Sequence, residues 1–156
     1  MKKEQIINKL VYSNDSLIYT INNISLSNLT NEKKLYQLIN TQSIIFYFND
    51  KMCKSCIERV AKCIHKTSVD NLKEFYIIAE ISDSKNIDYI FNYIENRNKY
   101  YFTTEQFRAE NHLLTMPSLI ITKKNKIQTI FFANTVSEDP ILNFLNFIKD
   151  KDNFSN

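Results

Sequence analysis

The stretch Ser43-Ile44-Ile45-Phe46-Tyr47-Phe48-Asn49-Asp50-Lys51-Met52-Cys53-Lys54-Ser55-Cys56 decides how the rest of the chain is read. Ser43 to Phe48 is a continuous, β-rich apolar run, which suits a central strand buried on both faces. Asn49 to Met52 make a short turn. Ile57, Val60, Ala61 and Ile64 then recur at helical spacing, predicting a helix from about Cys53 to near His65. Cys53 thus falls where a strand has ended and a helix begins. Unpaired amides and the helix dipole favour an anion there, so a thiolate is stabilised. Thiol pKa values in such settings fall to roughly 3.5–7.5. Cys56 lies one turn on, close enough for its sulfur to attack a mixed disulfide on Cys53. Cys53 is the expected exposed nucleophile and Cys56 the partly buried resolving thiol. Lys54 either adds a charge that favours the thiolate or is a solvated first-turn lysine.

Working outward, Phe75 to Ile81 is a second buried-type strand, and Ser82 or Asp83 can cap a helix with the stripe Ile87, Ile90, Phe91 and Ile94. Tyr100-Tyr101-Phe102 suggests a short strand and Glu105 to His112 a helical turn or two. Ser118 to Thr122 and Lys126 to Ala133 alternate as strands joined by Lys123-Lys124-Asn125. Pro140 opens a last helix with Ile141, Leu142, Leu145 and Ile148 on one face. Upstream, Leu10 to Tyr12 and Ser16 to Ile21 flank Asn14-Asp15 as a hairpin, and Thr30 or Asn31 caps a helix over Glu32 to Ile39. Strands separated by helices imply parallel crossovers, and the closing pair is antiparallel. The expected fold class is α/β, a mixed central sheet with helices on both faces in three α/β/α layers. A single domain spans 1–156, with an N-terminal hairpin and helix over 1–42 and the core over 43–150.

The chain has 156 residues, 44% apolar and 24% charged, and a net charge of +3. That charge is too mild to argue for nucleic acid. Apolar runs are too short to span a bilayer. There is no glycine, which excludes phosphate-cradling loops, dinucleotide turns and the GxSxG elbow. Asparagine is heavily used and is the next-best residue for left-handed turns. Three cysteines cannot form a disulfide framework.

The strand, turn and CxxC helix of Ile44 to Cys56 resemble the thioredoxin superfamily. Thr115-Met116-Pro117-Ser118-Leu119-Ile120-Ile121 is similar to its cis-proline strand, and Lys126 to Ile130 to the next strand in that family. The N-terminal hairpin and the extra segment Tyr100 to His112, a central insertion, resemble the TlpA-like or redoxin branch. The resemblance implies dithiol–disulfide exchange with a protein substrate and a redox partner protein, often in the bacterial envelope. It also implies a cis Met116–Pro117 bond presenting Met116 to an extended substrate. On residues alone, Pro117 is a strand start that can spare its amide. Six residues before the first cysteine, where thioredoxins often carry a buried acid, stands Tyr47. Glu80 on the neighbouring strand is the candidate substitute for proton transfer, or else a partly exposed strand-edge carboxylate.

Met1-Lys2-Lys3 resembles the start of a signal peptide, but Glu4-Gln5 comes next and no apolar stretch does. A native start here predicts a cytoplasmic protein, whereas the resemblance favours the periplasm or cell envelope. Cys63, two helical turns after Cys56, reads as a small buried core residue. Cys53, Cys56, Cys63 and His65 cannot close a tetrahedron around one zinc ion from a single helix start. His112 could approach the cysteines, but copper-delivering relatives resemble CxxxC and this chain has CxxC. A peroxidase would need Thr or Ser where Asp50 stands. The sequence therefore predicts a thiol–disulfide oxidoreductase with Cys53 and Cys56 catalytic and Met116 and Pro117 binding substrate. It expects no metal and no cofactor, because two sulfurs carry both electrons. The alternative is a non-catalytic binding module of the same fold, its cysteines structural or holding a metal.

Overall fold

The computed structural model describes residues 25–27, 32–72, 74–88, 98–103, 116–133 and 137–150. Among them, β1 (Ser25–Ser27), β2 (Glu32–Lys34), β3 (Ser43–Asn49), β4 (Phe75–Ile81), β5 (Lys99–Thr103), β6 (Ser118–Lys123) and β7 (Lys126–Phe132) form one sheet. Its order is β2-β1-β5-β4-β3-β6-β7. The helices are α1 (Leu35–Leu38), α2 (Lys54–Thr67) and α3 (Asp139–Lys149). β3 and β5 both run parallel to β4, while β6 is antiparallel to β3 and to β7.

β3 is buried at every position because it is sandwiched between two cores. Ile44, Phe46 and Phe48 meet Ile57, Val60 and Ile64 of α2 and Ile141, Leu145 and Ile148 of α3. Ile45 and Tyr47 point the other way, into a cluster with Leu35 and Leu38 of α1. Helices thus cover both faces of a mixed sheet, and each fully buried Ile or Phe contributes about 1.5–3 kcal/mol. α2 and α3 are also tied at their ends: Glu138 pairs with Lys62 (3.4 Å) and Lys66 (2.7 Å), and Lys149 Nζ donates to Thr67 O at 2.8 Å. No helix among the described residues is long and apolar enough to cross a membrane.

Without glycine, left-handed backbone falls to other residues. The turn between β6 and β7 is made by Lys124 (φ 51°) and Asn125 (φ 62°), the asparagine standing where the sequence places it. Ser68 (φ 56°) ends α2, a position glycine usually takes.

The helix expected over Glu32 to Ile39 does not form over that span. Glu32–Lys34 is an exposed strand paired antiparallel with β1, and only Leu35–Leu38 is helical. Glu32, Lys33 and Lys34 offer no apolar stripe for a helix to bury, whereas pairing with β1 satisfies their backbone. Lys34 N then donates to Gln37 Oε1 at 2.8 Å and starts the helical turn. Asp83 does cap, accepting from Lys85 N at 3.0 Å; Ser84–Asn86 is a 3-10 turn that runs on into helical Ile87 and Asp88. The hairpin over Leu10 to Ile21, the stripe residues Ile90, Phe91 and Ile94, and the segment Glu105 to His112 lie outside the described residues.

Candidate functional site

β3 ends at Asn49, and this side chain shapes the turn into α2. Asn49 O accepts from Met52 N (3.2 Å), Asn49 Oδ1 accepts from Lys51 N (3.0 Å), and Asn49 N donates to Met52 Sδ (3.4 Å). The Asp50 carboxylate accepts from Ser82 N (2.9 Å), Ser82 Oγ (2.8 Å), Asp83 N (3.1 Å) and Asn86 Nδ2 (3.0 Å). These bonds fasten the turn to the segment after β4. Burial alone pushes the Asp50 carboxyl up, but the bonds from Asn86, Ser82 and Asp83 outweigh it and hold it below its ordinary 3.8. Met52 packs against both core clusters. Side-chain hydrogen bonds thereby fix a loop that contains neither glycine nor proline.

Cys53 comes next, as the N-cap of α2. Its Sγ accepts from Cys56 N at 3.2 Å and lies 3.1 Å from Ser55 Oγ. The two cysteines are joined as a disulfide, with Cα atoms 5.2 Å apart. Cys53 is exposed and Cys56 half-buried. The amide and the helix end that meet Cys53 Sγ are the groups that would stabilise a thiolate there after reduction. Lys54 is exposed.

Cys63, on the same helix, is fully buried against the sheet. Burial pushes its thiol up, the Glu138 carboxylate adds to that, and so it stays protonated at neutral pH. Among the described residues no group of three or more His, Cys, Asp or Glu could hold a metal. His112 lies outside them.

Glu80 is not at an exposed strand edge. It is fully buried on β4, paired in register with Asn49. Tyr47, standing where thioredoxins often carry an acid, donates its hydroxyl to Glu80 Oε1 at 2.7 Å. Sequence reasoning misses this contact, because the two residues lie 33 positions apart and meet only through the β3–β4 register. It misses the role of Asp50 as well, although an acid directly after one strand and Ser82-Asp83 directly after the next are visible in the sequence.

Ser118 pairs with Tyr47, so Met116 and Pro117 enter β6 at the sheet end where β3 leaves for Cys53. Met116 is half-buried and Pro117 buried. The expected cis bond is absent: no peptide among the described residues is cis. A trans X–Pro bond is intrinsically favoured by about 0.5–1 kcal/mol, and here the trans loop is held by Ser118 Oγ donating to Met116 O (2.8 Å) and Ala133 N donating to Pro117 O (2.9 Å).

The chain matches no protein-family model and no curated protein. Solved structures do resemble it. A thioredoxin-like protein from Porphyromonas gingivalis aligns with a TM-score of 0.55 at 19% identity, over 80% of this chain and 88% of that one. A thiol:disulfide interchange protein from Bacteroides sp. aligns with a TM-score of 0.53 at 16% identity, over 83% of this chain and 88% of its own. BsSco, a Sco-family cytochrome c oxidase assembly protein with a disulfide switch, aligns with a TM-score of 0.53 at 13% identity, over 81% and 91% of the two chains. With a mixed sheet between helices and a strand feeding directly into a CxxC helix, this chain has the thioredoxin-like fold.

Proposed function

We propose that the chain is a thiol–disulfide oxidoreductase that exchanges a dithiol for a disulfide with a protein substrate. One observation carries this reading: an exposed Cys53 Sγ at a helix N-terminus, bonded to Cys56 and accepting the Cys56 amide. In the reducing direction, Cys53 thiolate attacks a substrate disulfide and forms a mixed disulfide, releasing one substrate thiol. Cys56 then attacks Cys53 Sγ, closes the Cys53–Cys56 bond and releases the second substrate thiol. The two electrons gained by the substrate come from the two cysteines. Oxidation of a dithiol substrate is the same path reversed. Met116 and Pro117 hold the substrate segment by strand-like pairing beside the cysteines. Glu80 takes the proton that Cys56 loses; it is the buried carboxylate at the sheet end from which the cysteine loop springs.

The test is disulfide reduction by the reduced protein. Cys53→Ser abolishes turnover, and Cys56→Ser stops after the mixed disulfide. Cys63→Ser leaves the rate within about twofold, since a buried protonated thiol is inert. Full activity in Cys53→Ser, or a Cys53 thiol that titrates like an ordinary cysteine and reacts slowly, would favour a binding module of this fold.

A further inference from the structure

Asp50 directly follows β3, and its carboxylate reaches out of the cysteine loop to the segment after β4. Oδ2 accepts from Ser82 N (2.9 Å), Asp83 N (3.1 Å) and Asn86 Nδ2 (3.0 Å), and Oδ1 accepts from Ser82 Oγ (2.8 Å). The segment it grips has a cap of its own, because Asp83 Oδ1 accepts from Lys85 N at 3.0 Å. Asp50 N also donates to Glu80 O (3.2 Å), so backbone and side chain tie this residue to the same side. Only Lys51 and Met52 separate it from Cys53, and both are held: Lys51 N donates to Asn49 Oδ1 and Met52 N to Asn49 O. The anchor therefore passes with little slack to Cys53, whose Sγ accepts from Cys56 N at 3.2 Å.

Resting on the oxidoreductase reading, we infer that Asp50 is a positioning residue: by gripping the segment after β4 it holds Cys53 Sγ at the start of α2, where the helix end favours a thiolate. A nearby negative charge by itself disfavours a thiolate. Geometry and charge thus act in opposite directions and can be told apart. The four bonds hold the Asp50 carboxyl below its ordinary 3.8, so it stays ionised over the whole range in which thiols titrate. The other charged side chains about the loop are Lys51, Lys54, Asp83 and Lys85, all exposed, and the buried Glu80. Asparagine at this position can keep the arrangement. Its oxygen replaces Oδ2, and its amide nitrogen donates to Ser82 Oγ, which is able to accept. Glutamate keeps the charge but displaces the carboxylate by one methylene.

The experiment mixes the reduced full chain with an aromatic disulfide dye over a range of pH. Cys53 thiolate attacks one dye sulfur, the dye S–S bond breaks, and the coloured thiolate leaves. Cys63, buried under α2, reacts only when the core opens, so it reports any general loss of structure. In Asp50→Ala the rise of the Cys53 phase moves to higher pH while the Cys63 phase keeps its rate. At neutral pH the Cys53 phase slows about threefold for each pH unit of that move, because a more basic thiolate is scarcer but more nucleophilic. Asp50→Asn restores the parent profile and Asp50→Glu does not. Asn86→Ala, which removes one of the donors to Asp50, moves the rise in the same direction by less, and adds nothing in the Asp50→Ala background. Where Asp50→Ala also speeds the Cys63 phase, Asn86→Ala decides alone. A Cys53 profile that is unmoved or falls to lower pH in the deciding variant, or a rescue by glutamate and not by asparagine, overturns the role of Asp50 and leaves the cysteine mechanism standing. Absence of a fast Cys53 phase in the parent protein overturns the oxidoreductase reading itself.

Discussion

The two faces of the central sheet are built from different chemistry. On the face under α2 and α3, the buried side chains of β3, β4 and β6 are Ile44, Phe46, Phe48, Phe75, Ile77, Ala79, Ile81, Leu119 and Ile121. All are hydrocarbon. The opposite face holds every buried polar side chain of the sheet among the described residues: Ser43, Asn49, Glu80, Ser118 and Thr122. Strand alternation puts them there, since each shares parity with Ile45, Tyr47, Ile78 or Ile120 of the second cluster. The first face anchors the helix that carries the cysteines. The second holds the sheet's buried polar groups, Asn49 among them at the start of the same loop. One sheet thus separates a hydrocarbon face from a face with polar groups.

The largest expected effect breaks the hydrocarbon face. Phe46 is fully buried with its ring 5.1 Å from Phe48, so truncation leaves a cavity that neighbours cannot fill. Phe46→Ala is expected to cost about 3–5 kcal/mol, read from denaturant midpoints. Dye reactivity of whatever fraction stays folded should keep its Cys53 phase, because the helix N-terminus is built from backbone and from Asn49 and Asp50.

The hydrocarbon face is also the legible one. Phe75 to Ile81 emerges with the bounds the sequence predicts, and α2 begins where the strand run gives way to helical spacing. Periodicity reports burial, and burial dominates there. It fails at Glu32–Lys34, an exposed strand held by backbone pairing and by Lys34 Nζ donating to Ser25 Oγ across the pair, for which apolar pattern carries no signal. Of the site, Cys53 and Cys56 are readable because spacing on one helix fixes their geometry. The Tyr47–Glu80 contact is not, because it depends on the register between two strands. That register places Tyr47 opposite Ile78 and Asn49 opposite Glu80, so the tyrosine reaches its partner diagonally.

An intermediate effect is expected at the rim where the two faces meet the cysteine loop. The folded-state pKa of Asp50 lies below its ordinary 3.8, so its contribution is fully present above that value and is lost as pH falls through the lower, folded value. Asp50→Asn is expected to destabilise the protein at neutral pH and to flatten the acid limb of its stability. Chemical denaturation at a series of pH values measures both. An unchanged acid limb would mean that the four bonds do not distinguish the charged carboxylate from the amide.

The smallest effect has the opposite sign. Thr122 is fully buried on β6, and its Oγ1 has no hydrogen-bond partner among the described residues. The residue opposite it, Ser43, is satisfied elsewhere: its hydroxyl donates to Leu38 O at 2.9 Å, with Thr41 O at 3.2 Å. An unpaired buried hydroxyl costs about 1–3 kcal/mol. Valine has nearly the shape of threonine, with a methyl in place of that hydroxyl. Thr122→Val is therefore expected to stabilise the protein by about 1 kcal/mol, whereas Ser43→Ala, which orphans bonded carbonyls, should destabilise it. Urea midpoints separate the two. A loss in both variants would mean that every polar group of the second face is satisfied, so that its polarity belongs to packing. A gain at Thr122 with a loss at Ser43 would set the bonded groups of that face, Tyr47 and Glu80 among them, apart from one that is merely tolerated.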